Sequence, residues 1–202
     1  MTSSDWTAIG LAASGYLLGG VPFGVVVTRG LGAVDPRTAG SRNVGFTNVL
    51  RVAGTKAGIL TLLGDLGKGW LIAWLAARSL ESQGWVLLVA LTPVLGHVFS
   101  PFLKFRGGKG VATALGAVLG VAPWMGLLLV TIWLIMAATW RYSSGAAITA
   151  FVAFPLLALG AQRSWQFSLF AIALSALILQ RHRENLRRLW QGTEPKLGQR
   201  KS

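Results

Sequence analysis

The sequence VATALGAVLGVAPWMGLLLVTIWLIMAATW, residues 111–140, contains no charged residue and decides how often the chain crosses a membrane. One crossing takes about 20 apolar residues, so this stretch is too long for one ordinary crossing and long enough for two short ones. Pro123 lies near its middle and has no backbone N–H with which to continue a helix. We therefore predict a turn at Pro123 with one short span on each side.

Composition and further apolar stretches extend this prediction to the whole chain. Of the 202 residues, 53% are hydrophobic and 12% are charged, which is about half the charged fraction of a soluble domain. Further spans are predicted at about residues 6–28, 57–77 and 85–102, and residues 162–164 divide a last apolar stretch, residues 145–179, into two. We predict an all-α integral membrane protein with seven transmembrane helices, which leaves no room for a large soluble catalytic domain.

The net charge of +13 would also suit a nucleic-acid-binding protein, but its distribution favours membrane topology. With seven spans, Arg78 and Arg163 fall on one side and Lys68 falls inside a span, whereas every other Lys and Arg falls on the opposite side. Because Lys and Arg concentrate in cytoplasmic loops, we predict an N-terminus outside and a C-terminus in the cytoplasm. No nucleic-acid partner is predicted.

Residues that form disulfides or bind metals are scarce. The absence of cysteine excludes disulfides and a cysteinyl acyl-enzyme, and the two histidines and six carboxylates show no metal-ligand spacing, so we predict no metal and no cofactor. Without a linker or repeat, residues 1–202 are predicted to form one domain, with cytoplasmic loops at about residues 29–56, 103–112 and 181–202. The first residues, MTSSD, lack the positive segment of a secretory signal, so the first span is predicted to be retained.

The first of three polar clusters on the predicted cytoplasmic side is GSRNVGFTNVLR, residues 40–51. A helix starting at Asn43 would place Asn43, Thr47 and Arg51 on one face, with Ser41 near its N-cap. A helix start with a nearby serine and arginine is a good anion site. An ordinary capped loop with inside-positive charge is the alternative interpretation.

The second cluster is FRGGKGVAT, residues 105–113. Gly107, Gly108 and Gly110 allow backbone N–H groups to approach an anion, and Lys109 precedes a predicted helix. The cluster is not a Walker A loop, because Gly110 stands where that motif needs Ser or Thr. A glycine-rich turn at the membrane interface is the alternative.

The third cluster, RHRENLRRLW, residues 181–190, combines a polar and an apolar face. His182 and Asn185 are three residues apart and share a helix face, whereas Leu186, Leu189 and Trp190 form an apolar stripe. The alternative to a functional site is an amphipathic surface helix whose arginines face lipid phosphates.

One charged pair lies inside a predicted span. Asp65 and Lys68 are three residues apart on one helix face and can form an ion pair. Charged residues at this depth are functional by default, so we assign this pair a supporting role, with a purely structural pair as the alternative. His97, near the end of a span, is interpreted as a structural residue.

Taken together, these motifs resemble one family, the bacterial integral-membrane glycerol-3-phosphate acyltransferases that use acyl phosphate as donor, the PlsY family. The matching motifs, in family order and spacing, are GSRN and TNVLR within residues 40–51, DLGKG at 65–69, GH at 96–97, FRGGKGVAT at 105–113, His182 with Asn185, and GTE at 192–194. The family usually has Gly where this chain has Arg42, and Ala where it has Phe46. The resemblance implies a seven-helix fold with an outside N-terminus.

The resemblance also implies the reaction. Acyl phosphate and sn-glycerol 3-phosphate would give 1-acylglycerol 3-phosphate (lysophosphatidate) and inorganic phosphate, the first acylation of phospholipid synthesis. The protein would be a multi-pass protein of the bacterial cytoplasmic (inner) membrane with its active site on the cytoplasmic side. Its implied partners are acyl phosphate, glycerol 3-phosphate and membrane lipid, while the small-residue helix faces leave the oligomeric state open.

Both substrates carry phosphate, so such a site must hold two anions against their mutual repulsion. The residues assigned to phosphate binding are Ser41, Arg51, Lys109 and the amides of residues 107–110, with Asn43, Thr47 and Asn48 as supporting donors. His182, oriented by Asn185, is the candidate to contact the glycerol hydroxyl or the acyl phosphate. The hydroxyl proton goes either to His182 or to substrate phosphate. An acyl-Ser41 intermediate ranks below direct transfer, because no base is placed beside Ser41.

Two other classes of protein compete with an enzyme. A transporter or channel for an organic anion needs polar residues through the whole membrane, whereas only Asp65 and Lys68 are predicted to lie deep. A structural subunit of a lipid-synthesis complex would tolerate alanine at Lys109. The His-x4-Asp pair of the soluble-facing acyltransferases is absent, because Phe102 and Arg187 occupy the positions where it needs Asp.

Overall fold

The structure is a computed structural model that describes residues 2–161 and 164–199, and within those residues it contains helices and turns without strands. The helices are, in chain order, α1 (Ser3–Gly20), α2 (Phe23–Gly30), α3 (Phe46–Ser79), α4 (Gln83–Val98), α5 (Val111–Val121), α6 (Pro123–Trp140), α7 (Ser143–Gly160), α8 (Trp165–Arg181) and α9 (Arg183–Trp190). A short 3₁₀ helix, Pro101–Leu103, lies between α4 and α5. The prediction of an all-α protein is confirmed.

Several helices are long and apolar enough to cross a membrane. In the described part of the chain these are α3, α4 with its 3₁₀ extension, α6 and α7, and α1 with α2 makes a fifth if the bent pair counts as one span. The helices α5 and α8 are apolar but shorter. The predicted division at Pro123 is confirmed, because α5 ends at Val121 and α6 begins at Pro123. The count of seven spans stays a prediction.

The other predicted division, at residues 162–164, falls between two helices. The helix α7 ends at Gly160 and α8 begins at Trp165, so the apolar stretch is divided as expected. Residues 162 and 163 themselves lie outside the described residues. The same is true of residues 200–202, which belong to the predicted basic tail.

The first predicted span, at about residues 6–28, consists of two helices with a break between them. The helices α1 and α2 are bent by 47° at Val21 and Pro22. Pro22 has no N–H to donate to the preceding turn, so carbonyl groups at the end of α1 need other partners. Ser100 Oγ donates to the Gly20 carbonyl at 2.6 Å, and Lys68 Nζ donates to the Val21 carbonyl at 2.8 Å. Side chains from other helices therefore stabilise the break.

The helix α3 begins well before its predicted span and connects a polar cluster to the apolar interior. Gly54 has φ 86° and ψ 178°, a conformation that residues with a Cβ rarely adopt, and it kinks the helix. The segment before this kink carries Thr47 and Arg51, and the segment after it carries Asp65 and Lys68. One element thus positions residues of two predicted clusters.

Glycines allow the helices of this region to pack with their backbones in close contact. The helix α3 crosses α5 where a Cβ on Gly69 would overlap the Thr113 carbonyl, and a Cβ on Gly116 would overlap the Leu66 carbonyl. The helices α1 and α4 approach each other in the same way at Gly96. Because lipid is as apolar as leucine, close packing of this kind is a main source of helix association in membranes.

The chain divides into two compact units, Met1–Pro123 and Trp124–Ser202. The first contains α1 to α5. In the second, α7 and α8 pack through a cluster of aromatic rings, Phe151, Phe154, Phe167 and Phe170, mostly edge to face. The short helix α9 packs against α7 and α8. The prediction of a single domain stays a prediction.

We expect Gly69→Ala to destabilise the protein, because the added methyl group meets the backbone of α5 and forces the two helices apart. Overpacking of this kind costs about 1–3 kcal/mol, and each kcal/mol lowers the Tm of a chain of this size by about 2–4 °C. The Tm is measured in detergent by intrinsic tryptophan fluorescence.

The matched control is Gly67→Ala, two residues away on α3, where a Cβ meets no other atom within 4 Å. Alanine is the better helix former by about 1 kcal/mol, so the control should keep or raise the Tm. Equal Tm values for the two variants would contradict the close α3–α5 contact.

Candidate functional site

The loop that precedes α3 is organised by the buried side chain of Asn48. Its Nδ2 group donates to the carbonyls of Pro36, Ala39 and Asn43 at 2.9, 3.2 and 2.9 Å. Its Oδ1 accepts from the Ser41 backbone N–H at 2.9 Å. The polar atoms of Asn48 are therefore engaged within residues 36–45, which we call the serine loop, and they hold its shape.

The helix after the serine loop begins later than predicted. The prediction of a helix starting at Asn43 is wrong, because α3 begins at Phe46 and Asn43 lies before it. Asparagine side chains readily bond their own backbone two residues on, and Asn43 Oδ1 accepts from the Gly45 N–H at 3.1 Å. Thr47 and Arg51 remain one turn apart on the first part of α3.

The exposed residues of the serine loop include Ser41 and Arg42, and Arg42 has an unusual backbone conformation. Arg42 has φ 58°, in the left-handed region that favours glycine. The family that this chain resembles usually has Gly there, so the departure noted in the sequence falls on a position with a physical preference for Gly.

The glycine loop, residues 107–110, uses its amides in two ways. The N–H groups of Gly107 and Gly108 donate to the carbonyls of Val98 and His97, both at 3.1 Å, so they fix the turn. Gly110 is the N-cap of α5, with φ 85°, and the first N–H groups of that helix have no acceptor within it. The amides able to face an anion are therefore those from Gly110 onward, beside the half-buried Lys109.

Beneath this loop lies a buried charged network. Lys68 Nζ is 2.8 Å from Asp65 Oδ1, which confirms the predicted ion pair. The same ammonium group lies 2.8 Å from the Val21 carbonyl and 3.0 Å from His97 Nδ1. These three side chains are at most 5% exposed. The inclusion of His97 was missed, because its spacing in the sequence gives no sign of a contact with α3.

A second polar network, in the unit Trp124–Ser202, is centred on Glu194. Its Oε1 accepts from Ser144 Oγ and from Asn185 Nδ2, both at 2.6 Å, and its Oε2 accepts from Arg188 Nε at 2.7 Å. Burial alone would raise the pKa of this carboxyl, but the hydrogen bonds from Ser144, Asn185 and Arg188 lower the pKa below its usual range. Glu194 belongs to the GTE motif quoted above, whereas no sequence signal marks Ser144.

His182 lies at the junction of α8 and α9, and it is 3% exposed. Its Nδ1 is 2.8 Å from the Ile178 carbonyl. A carbonyl oxygen only accepts, so Nδ1 carries a proton and Nε2 is the nitrogen suited to accept one. The Ile178 carbonyl therefore orients the imidazole. The Asn185 Nδ2 group donates to Glu194, and the orienting role of Asn185 toward His182 stays a prediction.

The predicted residues thus form three groups with known geometry. Ser41 and Asn43 lie in the serine loop, which Asn48 of α3 holds in shape. Asp65 and Lys68 contact His97, which binds Gly108 of the glycine loop. Asn185 is joined to Glu194. Within residues 2–161 and 164–199 there is no group of three or more His, Asp or Glu side chains that could hold a metal ion.

A family model and two known proteins that are similar to this chain carry the same description. A sequence model of the glycerol-3-phosphate acyltransferase family matches residues 9–192. A glycerol-3-phosphate acyltransferase of Bordetella pertussis (strain Tohama I) is 47% identical over 193 residues, which cover 92% of this chain and 90% of the relative. One of Nitrosospira multiformis is 48% identical over 199 residues, which cover 96% of this chain and 98% of the relative.

Two crystal structures are also similar to this chain. They are of PlsY, an integral membrane glycerol 3-phosphate acyltransferase, in a glycerol 3-phosphate form and a lysophosphatidic acid form. The first has a TM-score of 0.91 at 41% identity, and covers 95% of this chain and 96% of its own. The second has a TM-score of 0.88 at 40% identity, with the same coverage.

The Glu194 network generates a prediction about pH. We expect Glu194→Gln to lower the Tm at neutral pH, since hydrogen bonds to a charged group contribute about 1.5–3 kcal/mol. The pKa of Glu194 is lowered from an ordinary value of 4.5, so its stabilisation is present above pH 4.5 and is lost as the pH falls through the lowered pKa. The Tm difference between parent and variant should therefore narrow below pH 4.5.

The control for this prediction is Glu184→Gln, which removes an exposed carboxylate from the neighbouring helix α9. Its Tm should follow that of the parent at every pH. A Glu194→Gln difference that stays constant with pH would contradict the role of the ionised carboxylate.

We expect Arg42→Gly to keep or raise the Tm, because glycine adopts positive φ without strain. The free energy of unfolding should rise by up to about 1 kcal/mol. The control is Arg106→Gly, which changes an exposed loop arginine without positive φ and should lower the Tm. If Arg42→Gly is the more destabilising of the two, the Arg42 side chain itself contributes to the fold.

Proposed function

Since this chain belongs to the glycerol-3-phosphate acyltransferase family, we propose that it transfers a fatty acyl group from acyl phosphate to the 1-hydroxyl of sn-glycerol 3-phosphate. The products are lysophosphatidate and inorganic phosphate. The observation that carries the proposal is similarity over 95% of the chain to a PlsY structure described as its glycerol 3-phosphate form, with a second in a lysophosphatidic acid form. An acyl phosphate donor agrees with the sequence motifs quoted above.

The proposed topology has seven spans, with the N-terminus outside and the C-terminus in the cytoplasm. The bent pair α1–α2 forms one span, and each helix from α3 to α8 forms another. The asymmetry of Lys and Arg supports this arrangement. At about 1.5 Å per residue, α5 is shorter than the hydrocarbon core, and local thinning of the bilayer accommodates a short span. The protein would then act at the cytoplasmic face of the bacterial inner membrane.

Phosphate binding is assigned to cations and N–H groups at helix starts. Arg51 and Lys109 supply charge, and Ser41 presents an exposed hydroxyl from the serine loop. The amides from Gly110 onward add the favourable end of a helix dipole. Asn43 and Thr47 remain supporting donors. Asn48 and the amides of the first two loop glycines hold the loops in shape, a narrower role than the sequence suggested.

The chemistry requires little from the protein besides positioning and charge. The donor is a mixed anhydride, so its acyl carbon is already activated and phosphate is a good leaving group. In direct transfer the glycerol oxygen attacks that carbon, the bond between the carbon and the phosphate oxygen breaks, and the hydroxyl proton ends on phosphate. Fixing the two reactants and offsetting their charge supplies most of the rate.

His182 is the proposed first acceptor of the hydroxyl proton. Its Nδ1 proton faces the Ile178 carbonyl, so Nε2 is the basic nitrogen. Asn185, three residues after His182, donates to Glu194, and so does Arg188. These bonds hold the turn after α9 against that helix. A substrate phosphate acting as base would leave His182→Gln active, which separates the two routes.

The burial and pairing of the two deep charged residues favour an enzyme over an anion transporter. A transporter needs polar groups that a substrate can reach through the membrane. Lys68 and Asp65 are buried against each other, and Lys68 also binds the Val21 carbonyl. They therefore maintain the fold and do not line an open path.

We expect product formation to require both substrates and to depend on Lys109. Purified protein is given palmitoyl phosphate with and without glycerol 3-phosphate, and phosphate and lysophosphatidate are measured together. Lys109→Ala should lower kcat/KM by about a hundredfold or more, the loss typical of a removed charge-stabilising group. The control is Lys104→Ala, an exposed lysine five residues earlier, which should stay within about twofold.

Each contrary outcome has a distinct meaning. Equal loss in the two lysine variants would remove the assignment of Lys109. Absence of lysophosphatidate from folded parent protein, with acyl phosphate or with acyl-CoA, would contradict the enzyme. Anion flux into liposomes would then test the transporter.

A further inference from the structure

His97 lies directly beneath the glycine loop. The Gly108 N–H donates to the His97 carbonyl at 3.1 Å. A Cβ added to Gly108 would overlap His97 Nε2, so this edge of the ring faces the backbone of the loop with nothing between them. A side chain at position 108 would cover Nε2, which gives a reason for glycine there besides loop conformation.

The buried ammonium of Lys68 fixes which nitrogen of His97 carries the proton. An ammonium group has three N–H bonds and no acceptor. Three acceptors lie within 3.0 Å of Lys68 Nζ, namely Asp65 Oδ1, the Val21 carbonyl and His97 Nδ1. Because Nδ1 accepts from Lys68, the neutral ring carries its proton on Nε2.

The alternative, a proton on Nδ1 donated to Asp65, fits the geometry less well. His97 Nδ1 is 3.4 Å from Asp65 Oδ1, which is longer than an ordinary hydrogen bond. The contact of Nδ1 with Lys68 Nζ is shorter, at 3.0 Å. The network therefore favours an arrangement in which Nδ1 accepts from Lys68 and Nε2 carries the proton that can be donated.

Among residues 2–161 and 164–199, the polar contacts of the His97 ring run through Nδ1, and Nε2 has no hydrogen-bond partner. His97 is 5% exposed as a residue, and its Nε2 atom is not fully buried. A donor that has no protein partner and is not fully buried is available to water or to a ligand. The Nε2 group lies against Gly108 of the glycine loop, next to Lys109 and the first N–H groups of α5.

We propose that His97 is a further binding residue, whose Nε2–H donates a hydrogen bond to a phosphate group held at the glycine loop. This proposal rests on the proposed function for the identity of the phosphate compound. Asp65 and Lys68 act through His97 as positioning residues, because they hold its ring orientation and its tautomer. The supporting role predicted for Asp65 and Lys68 would thus be to position His97.

The test compares two substitutions that each keep one half of the ring. His97→Asn retains a polar atom near Nδ1 for Lys68 and loses the distal donor. His97→Gln retains an N–H donor near Nε2. The control is Ser100→Ala, which breaks the buried hydrogen bond to the Gly20 carbonyl without touching the glycine loop.

The first measurement is the rise in Tm caused by inorganic phosphate and, separately, by glycerol 3-phosphate. We expect His97→Asn to weaken binding of at least one of them about tenfold, the loss expected for one hydrogen bond to a charged group. His97→Gln should recover much of that loss, and Ser100→Ala should lower the Tm without weakening binding. Unchanged binding in His97→Asn, or equal loss in both His97 variants, would overturn the proposal.

The second measurement uses unmodified protein, so it does not depend on the folding of a variant. The chain has two histidines, and isotope-labelled histidine therefore gives a simple nitrogen NMR spectrum in detergent. We expect one ring protonated on Nε2 and one on Nδ1, and the Nε2–H signal should shift when phosphate is added. A charged ring, or two rings protonated on Nδ1, would overturn the proposal.

Steady-state kinetics then separates this proposal from the proposed function. If both are correct, His97→Asn raises KM for one substrate with a smaller change in kcat, and the substrate affected identifies the phosphate that His97 binds. If the parent forms no lysophosphatidate but still shows phosphate-dependent shifts that need His97, the reaction is wrong and the binding residue stands.

Discussion

The buried ammonium group of Lys68 is the interaction on which the first unit depends. A charge in this position must be paired, and here it meets a carboxylate, a backbone carbonyl and an imidazole. Each partner comes from a different place: Asp65 from the same helix, Val21 from the break between α1 and α2, and His97 from α4. Through His97 and Gly108 the network reaches the glycine loop. Removing one partner of such a pair typically costs about 3–5 kcal/mol, so these elements are held in one arrangement.

Buried polar side chains hold the loops that carry the candidate site. Their hydrogen-bonding atoms are bound to groups in or beside the same loop. Asn48 does this for the serine loop with four hydrogen bonds to backbone groups. Glu194 does it in the second unit by accepting from Ser144, Asn185 and Arg188. A protein made almost entirely of apolar helices can therefore present rigid polar loops at helix ends. Such preorganisation suits acyl transfer from an activated donor, in which charge stabilisation outweighs proton transfer.

Features that depend on local chemistry could be predicted from the sequence. The turn at Pro123 follows from the length of an uncharged run and a missing N–H, and the buried ion pair follows from its helical spacing. The break at Pro22 was overlooked, because the span was defined by its lack of charge and its carbonyls are satisfied by residues far along the chain. The predicted helix start at Asn43 was wrong, because the Asn43 side chain accepts from the Gly45 N–H and this bond competes with the helix. His97 and Glu194 were undervalued for a similar reason, since their partners come from other helices or from across a turn.

The central claim is that the acyl group passes directly between two bound phosphate compounds, without an acyl-enzyme. The most direct test is isotope exchange in the absence of glycerol 3-phosphate. Protein is incubated with palmitoyl phosphate and radiolabelled inorganic phosphate, and the label in palmitoyl phosphate is followed. The account predicts no exchange above that of heat-inactivated protein, while the same preparation forms lysophosphatidate once glycerol 3-phosphate is added. Exchange without glycerol 3-phosphate above that of heat-inactivated protein would contradict it, because an acyl-enzyme can return its acyl group to the labelled phosphate.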